Sequence, residues 1–363
     1  MNFQLPTYTE PDFNQEPFLS APDAQTAKVT RTGVAPRDYH GFSIYPEYFK
    51  IDGQWILATE SRMDGVPVLK PDGTIHSVEF RNLRAGDQVI VGRSEDGRQG
   101  IYVYARGFSS SEAGSELFAF RSGRSRETAY SKDYNDLYAL LNYERDHGYI
   151  VWVLGPAVVF DYDSRQALSA LISGGYAHAI LAGNAMATHD LEAAVFGTAL
   201  GQNTYNQQSP PNAHYHHLDL INKARAAGSL EQLIARESVH DGVVYSALKN
   251  KVPLVLAGSI RDDGPLPPVI ADVYQAQDEM RQHTRQATTL ICLATQLHTI
   301  AAGNMTPAYT CKNGQIRPVY IYCVDIAEFA VNKLKDRGSL SVTTLVTNVQ
   351  DFVVHLKNNL APS

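Results

Sequence analysis

The sequence predicts a doubly wound α/β domain preceded by a small antiparallel β-domain. Two patterns carry this expectation. From Tyr149 onward, six short and nearly all-apolar runs (YIVWVLGP, AHAILAG, VPLVLAGS, ATTLICLA, VYIYCVD and SVTTLV) alternate with amphipathic segments of helical period. Continuous apolar runs are what parallel strands look like when helices cover both faces of the sheet. Between residues 39 and 106 the runs are instead divided by the turn dipeptides Asp52-Gly53, Asp72-Gly73 and Asp96-Gly97, which is how antiparallel hairpins are punctuated. A length of 363 residues accommodates both parts.

Taken in order, residues 1–35 carry Pro6, Pro11, Pro17 and Pro22 without hydrophobic period, so they read as an extended arm ordered only by packing on something else. Residues 36–126 hold the β-rich domain, with the runs FSIYPEYFKI, QWILATE, GVPVLK, IHSVEF, DQVIVG and GIYVYA, and a Ser- and Gly-rich connector over 108–126. Residues 127–363 form the α/β domain. Its first helix is expected over 134–147, where Leu137, Leu140 and Leu141 recur at helical spacing before Gly148. Further helices are expected over 164–173, 189–196, 218–227, 268–283 and 327–335.

Hydrophobic residues make up 44% and charged residues 19% of the chain, ordinary usage that argues against a disordered, collagenous or coiled-coil protein. A net charge of −7 argues against nucleic acid as a partner. No basic segment followed by an apolar core opens the chain, and no apolar run reaches the roughly 18–20 residues of a membrane span, so neither a targeting peptide nor a membrane partner is expected. Three cysteines (Cys292, Cys311, Cys323) cannot build a disulfide framework, which fits a reducing cytoplasm. Tyrosine is abundant, 20 against 13 Phe and 2 Trp. Its clustering in the β-domain and connector suits half-wet contacts between domains or subunits.

In an open α/β sheet the ligand sits beyond the carboxyl ends of the strands, where helix starts and loop amides converge. The first strand ends in Gly155-Pro156. The second ends in Gly183-Asn184-Ala185, with Thr188, His189 and Asp190 opening the next helix. The third ends in Gly258-Ser259. The fourth is followed by Thr295 and, one helix later, Gly303-Asn304. The fifth ends in Asp325, and an acidic strand tip is the usual partner of an adenosine ribose. Each glycine also suits plain turn chemistry; their recurrence at successive tips is what favours a phosphate-bearing ligand. The G-x-G-x-x-G fingerprint, the Walker A loop and the G-x-S-x-G elbow are absent.

Arg261-Asp262-Asp263-Gly264-Pro265 places one cation and two carboxylates in a Gly/Pro-bounded loop directly after a buried strand. A carboxylate there could bind a substrate ammonium or act as a base, or it could form an Asx turn with a surface ion pair. His214, His216 and His217 form the densest histidine cluster, but their spacing matches no common zinc pattern, so proton transfer or ligand contact is the preferred reading and no metal is expected. His298 reads as a core or a catalytic histidine. Asp190 also suits the dipole of a helix start. Cys292 and Cys323 lie within apolar strands and read as buried small hydrophobes.

The order of several segments resembles one family. They are Gly155-Pro156-Ala157-Val158-Val159, Leu181-Ala182-Gly183-Asn184-Ala185, Thr188-His189-Asp190-Leu191-Glu192-Ala193, the 214–217 histidines with Ile221-Asn222, the run from Ala257 to Pro267, Leu297-His298 with Gly303-Asn304-Met305, and Cys323-Val324-Asp325-Ile326 with Asp336-Arg337-Gly338. Tyr45-Pro46, Asp52-Gly53-Gln54-Trp55 and Arg62-Met63-Asp64 extend the likeness toward the amino terminus. The family is the lysine-ketoglutarate reductase/saccharopine dehydrogenase (LOR/SDH) region, which includes archaeal-type ornithine cyclodeaminases and the cyclodeaminase domain of cyanobacterial arginine-dihydrolase fusions. Asn348 departs from it, since an Asp is expected after Thr347.

The resemblance implies a Rossmann-like NAD-binding domain of the deoxyhypusine-synthase type, without the usual glycine fingerprint and without the dihydrolase module of the fusions. It implies conversion of L-ornithine to L-proline and ammonia by internal hydride transfer, with NAD regenerated. On this reading Asp262 or Asp263 meets the substrate amines, and His216, His217 or His298 moves protons. Arg62 or Arg261 holds the substrate carboxylate. Gly155, Pro156, Gly183, Asn184, Ala185, Thr188, Asp190, Gly258, Ser259, Asn304, Asp325 and Thr347 are expected to hold NAD. A homodimer or homotetramer is expected. The alternatives are a cyclodeaminase or opine-type dehydrogenase acting on another diamino acid or amino-acid conjugate, and an NAD- or amino-acid-binding sensor without turnover.

Overall fold

The computed structural model describes residues 3–108, 130–312, 314–327 and 339–361. The β-rich part is built from β1 (Gln25–Lys28), β2 (Glu47–Ile51), β3 (Gln54–Leu57), β4 (Gly65–Leu69), β5 (Ile75–Glu79), β6 (Gln88–Val91) and β7 (Ile101–Val103). These pair antiparallel in two small sheets, ordered β1-β6-β4-β5 and β3-β2-β7. Asp52 and Gly53 both take positive φ, 50° and 78°, the geometry that lets a two-residue hairpin follow the strand twist. The arm is ordered on its own chain. Phe13 stacks on Trp55 at 4.9 Å, Phe18 packs edge-on against the same indole, and Lys50 Nζ donates to the carbonyls of Phe18, Leu19 and Ala21.

The second part runs α1 (Tyr130–His147), β8 (Ile150–Leu154), α2 (Tyr162–Ser173), β9 (Ala179–Gly183), α3 (Asn184–Phe196), the two-residue strands β10 (Thr198–Ala199) and β11 (Gln202–Asn203), α4 (His216–Ala227), α5 (Leu230–Arg236), α6 (Val243–Lys249) and β12 (Leu254–Ala257). It continues through α7 (Val273–Thr284), β13 (Thr289–Leu293), α8 (Gln296–Met305), β14 (Tyr309–Lys312), β15 (Gln315–Pro318), β16 (Tyr320–Asp325), β17 (Ser341–Val346) and α9 (Val349–Leu360). Six strands form one parallel sheet in the order β12-β9-β8-β13-β16-β17. Relabelled by position in the chain this is 3-2-1-4-5-6, the order of a doubly wound Rossmann sheet.

All six apolar runs of this domain became its strands, for the expected reason. On β8, Ile150, Trp152 and Leu154 pack into the cluster that includes α1, α2, α3 and α9, while Val151 and Val153 face Met280 of α7 and Ala302 and Met305 of α8. Cys292 and Cys323, paired across β13 and β16, are buried; burial pushes the Cys292 thiol well up and holds that of Cys323 at about 12. Helix α3 begins five residues before the expected start, because Gly183 serves directly as its N-cap. The helix expected over 327–335 lies almost wholly outside the described residues. So do Asp336, Arg337 and Gly338 and most of the 108–126 connector. Among the described residues, no helix is long and apolar enough to cross a membrane.

The β-rich part docks at the amino edge of the parallel sheet. Ala308 donates its amide to Ser61 O at 2.9 Å, and the buried Tyr309 hydroxyl donates to Ala58 O at 2.7 Å. Both residues precede β16, at the end opposite the strand tips.

Candidate active site

The winding of the chain reverses between the neighbours β8 and β13. Strands β9 and β12 are added on one side and β16 and β17 on the other, so the loops leaving the two central tips diverge and open a crevice. Gly155 N donates to Leu293 O at 2.8 Å, and a Cβ on Gly155 would lie 1.9 Å from Ala294 O. Only glycine allows this approach of the two tips. Pro156 starts a 3-10 turn over Pro156–Val159. The N-caps of that turn, of α3 and of α8 are Gly155, Gly183 and Thr295, and none supplies a side-chain cap. By contrast Asp161, Asp272 and Asn348 cap α2, α7 and α9 with their own side chains. Uncapped amides thus collect at the crevice, where an anion would satisfy them. Asn348 performs the capping that an Asp would, which gives its departure from the family pattern a benign account.

The loop after β12 is folded back on itself. Ser259 N donates to Asp262 Oδ2 at 2.8 Å and Arg261 N donates to Ser259 Oγ at 3.2 Å, while Asp262 N closes the turn on Ser259 O. Asp262 thus forms the Asx turn, and among the described residues its second carboxylate oxygen has no hydrogen-bond partner, whereas Arg261 and Asp263 are exposed. His298, on the first turn of α8, lies against the end of β9, where a Cβ on Gly183 would come within 2.9 Å of its Cε1. Burial lowers the His298 pKa, and the Asp262 carboxylate opposes that shift. Asp325 accepts the Ala327 amide on Oδ1 at 2.9 Å, and Thr347 N bonds Asp325 O at 3.1 Å, so the tips of β16 and β17 are joined.

On the other flank of α3, Glu192 is fully buried and gathers donors. Thr198 Oγ1 (2.8 Å), Gly201 N (3.0 Å) and Leu200 N (3.2 Å) reach it, and His189 Nδ1 lies 2.8 Å from its Oε2. Burial alone would raise this carboxyl; the His189 and Gly201 bonds outweigh it and bring the pKa below the ordinary value. His216 Nδ1 bonds Thr198 Oγ1 at 2.7 Å and its ring stacks on Phe196. His217 sits 6.4 Å from His189, ring to ring, and His214 is exposed. Glu192 had drawn no functional reading from the sequence. The available signal was its i,i+3 spacing from His189 on one helix face. Among the described residues no His, Cys, Asp and Glu cluster is arranged to hold a metal.

Four residues expected to touch ligand are held by other parts of the chain or stand away from the crevice. Arg62 is buried at the far end of the sheet, 2.6 Å from Glu79 and donating to Ser77 O, in a network with Glu60, Arg281 and Arg285. Arg281 and Arg285 end α7 and lead into the amino end of β13, so Arg62 holds the two parts of the chain together and cannot reach the tips. Asp190 is fully buried; its carboxylate binds Arg165 at 2.8 Å and the amides of Val243 and Val244, which anchors α6. Asn304 belongs to the last turn of α8, at the amino edge, because the helix runs down the sheet from the crevice. The Thr188 hydroxyl donates to Asn184 Oδ1, which also accepts the Leu266 amide. Both side chains therefore position the loop after β12, and Asn184 reaches the crevice only through its place at the α3 start.

The Rossmann part has known counterparts. A family model described as arginine dihydrolase ArgZ-like, C-terminal, Rossmann fold matches residues 138–356. The chain is 36% identical over 337 residues to the ornithine cyclodeaminase of Methanocaldococcus jannaschii, covering 90% of this chain and 75% of that protein. It is 37% identical over 342 residues to the bifunctional arginine dihydrolase/ornithine cyclodeaminase AgrE of Nostoc sp.; the match covers 93% of this chain and 47% of AgrE, so the chain spans about half the length of that relative. A crystal structure of a LOR/SDH protein from Methanococcus maripaludis superposes with a TM-score of 0.82 at 32% identity, over 93% of this chain and 98% of that one. The ternary complex of AgrE with ornithine and NAD+ gives a TM-score of 0.57 at 35% identity, over 94% of this chain and 46% of AgrE. With the archaeal likeness running through both the β-rich part and the Rossmann sheet, the chain belongs to the LOR/SDH-type ornithine cyclodeaminase family and carries its ArgZ-like C-terminal Rossmann domain.

Proposed function

We propose that the chain is an NAD-dependent ornithine cyclodeaminase that converts L-ornithine to L-proline and ammonia. The observation that carries this reading is the crevice between β8 and β13, where three uncapped helical starts lie beside His298, packed on Gly183, and the Asp262 turn whose charge it feels. Relatives named ornithine cyclodeaminases, and a structure of one with ornithine and NAD+, support it.

The residues fit a dinucleotide, and they favour one orientation. In the usual arrangement an acid at the tip of the second strand holds the adenosine ribose. Here that tip carries Asn184, whose Oδ1 is taken by Leu266 and Thr188. The acid stands instead at the tip of β16, where Asp325 Oδ2 has no hydrogen-bond partner among the described residues. The adenosine half would therefore lie over β13, β16 and β17, with Asp325 on the ribose, Thr347 beside it and the α8 start under the pyrophosphate. The nicotinamide end then falls over β8 and β9, among Gly155, Pro156, Gly183, Asn184 and Ala185, with Gly258 and Ser259 as the far wall.

Bound NAD would supply a hydride acceptor that takes hydride from the substrate Cα and returns it to the cyclic imine, leaving no net oxidation. The chain's own residues do the rest. Asp262, with Asp263 at the mouth, attracts the substrate ammonium groups. His298, kept uncharged at neutral pH by burial, accepts a proton from an amine. Arg261 at the mouth takes over the carboxylate contact from Arg62. His216 and His217 line the α4 side.

Incubation of the purified protein with L-ornithine and NAD tests the reading, and proline with ammonia is the expected product pair. Steady accumulation of NADH at 340 nm would favour the dehydrogenase alternative instead. Tight NAD binding without turnover of any diamino acid would favour the sensor.

A further inference from the structure

We infer that His189 is a proton-transfer residue of this site and that Glu192 is its positioning carboxylate; the substrate in this assignment rests on the cyclodeaminase reading. His189 is 7% exposed. Its Nδ1 faces Glu192 Oε2 at 2.8 Å, and the Leu200 amide, which donates to Glu192 Oε2 at 3.2 Å, also points at Nδ1 from 3.4 Å, while Nε2 has no hydrogen-bond partner among the described residues. The Leu200 amide has its shorter bond to Glu192, so the closer carboxylate contact sets the tautomer, with the proton on Nδ1 and a bare lone pair on Nε2. The ring lies between Phe160, in the loop after β8, and His217, at the start of α4, with ring centroids 5.5 and 6.4 Å away. The ring therefore stands between the loop that leaves the tip of β8 and the start of α4.

A purely structural role leaves the histidine unexplained. Glu192 already has the Thr198 hydroxyl and the amides of Leu200 and Gly201, which are enough to hold the β10–β11 hairpin. The 3.4 Å contact of the Leu200 amide with Nδ1 adds little to a hairpin that Glu192 already holds, and the unused, nearly buried Nε2 adds nothing to it. It does complete a carboxylate-imidazole pair, in which a buried anion fixes the tautomer and stabilises the imidazolium once formed. In the reaction, Nε2 takes one proton from the substrate δ-ammonium, which frees the lone pair that closes the ring. That proton and the one shed by the closing ring nitrogen go to the departing α-nitrogen, which leaves as ammonium; the proton shed by the α-ammonium before hydride leaves Cα returns to the ring nitrogen of proline, so the imidazole ends in its starting state with no electrons gained or lost.

His189→Asn is the direct test, because the asparagine amide replaces Nδ1 and can still donate to Glu192 while Nε2 is gone. The variant should fold and bind NAD as the parent does, and kcat should fall about 100-fold or more with little change in KM. Glu192→Gln keeps the acceptor oxygen and removes the charge, so the acid limb of the kcat profile should move to lower pH. Full turnover by the His189→Asn protein, or an unmoved limb in Glu192→Gln, overturns the assignment. The tautomer is read without any substrate from the imidazole 15N spectrum of the parent. A neutral His189 protonated on Nε2 overturns the inference even if ornithine proves not to be the substrate; failure of the substrate reading itself shows separately, as a parent that makes no proline.

Discussion

Asn184 Oδ1 and the Leu266 amide meet at 3.0 Å across 82 residues of sequence, and Thr188 adds its hydroxyl to the same oxygen at 3.3 Å. The loop that carries Asp262 is thereby tied to the start of α3. Asn184→Ala leaves a buried amide without an acceptor, which costs about 1–3 kcal/mol. Urea unfolding should show that loss, and Asn184→Asp, which keeps the acceptor, should recover most of it. An alanine variant as stable as the parent would show that the tether is slack.

Asp325 should matter for binding and hardly for folding. Among the described residues its Oδ1 makes a local turn bond with Ala327, and Oδ2 has no hydrogen-bond partner. Loss of hydrogen bonds to a charged group is worth about 1.5–3 kcal/mol, so Asp325→Ala should weaken NAD roughly 10- to 100-fold. Titration calorimetry measures this directly. Unchanged NAD affinity would return the adenosine half to the β9 side of the crevice.

Gly155 should tolerate no side chain. A methyl group there would meet Ala294 O at 1.9 Å, and that oxygen belongs to backbone at a strand tip that cannot swing away. Overpacking of this kind costs about 1–3 kcal/mol. Gly155→Ala should lower the melting temperature and, by separating the tips of β8 and β13, weaken NAD binding more than Asn304→Ala does at the opposite end of α8. Equal losses from the two variants would mean that Gly155 matters for stability alone.

The sheet was legible because each of its strands is a continuous apolar run, and the crevice was legible because its glycines follow those runs. Less could be read where the signal was short or depended on distant partners. Helices α5 and α6 have seven residues each, and β14 with β15 spans four residues a side, too little for a period to emerge. Arg62 was misplaced because nothing local says at which end of the sheet the β-rich part docks. Asp190 read as a ligand contact because its partner, Arg165, lies on another helix. The same blindness hid Glu192, whose donors come from a hairpin that the sequence barely marks.

The network around Arg62 should control acid stability. Burial alone would raise the Glu79 carboxyl, but Arg62 and Arg281 override it and hold the pKa at about 2. A depressed folded pKa contributes stability that is complete above the unfolded value and is lost as pH falls toward the folded one. The window is therefore from about pH 4.5 down to about 2, with an effect on the order of 3 kcal/mol at neutral pH. Glu79→Gln should be markedly less stable than the parent at pH 7 and nearly equal to it near pH 2. A gap that stays constant across that range would contradict an ionic role.

His298 offers the clearest pH test of the crevice. Burial lowers its pKa and the Asp262 carboxylate works against that shift, so removing the charge should lower the pKa further. In Asp262→Asn, the His298 resonance followed by NMR should titrate at lower pH than in the parent. The stability linkage has the same sign. A histidine held neutral in the fold contributes stability above its unfolded value near 6.5, and this is lost as pH falls through the lowered folded value. The variant should therefore lose more stability than the parent as pH falls below 6.5, where its histidine resists protonation longer. If His298 is also the base that serves the substrate amine, the acid limb of turnover should shift down with its titration. A limb that stays in place while the resonance moves would assign the proton transfer to another group, and His189 would be the first to examine.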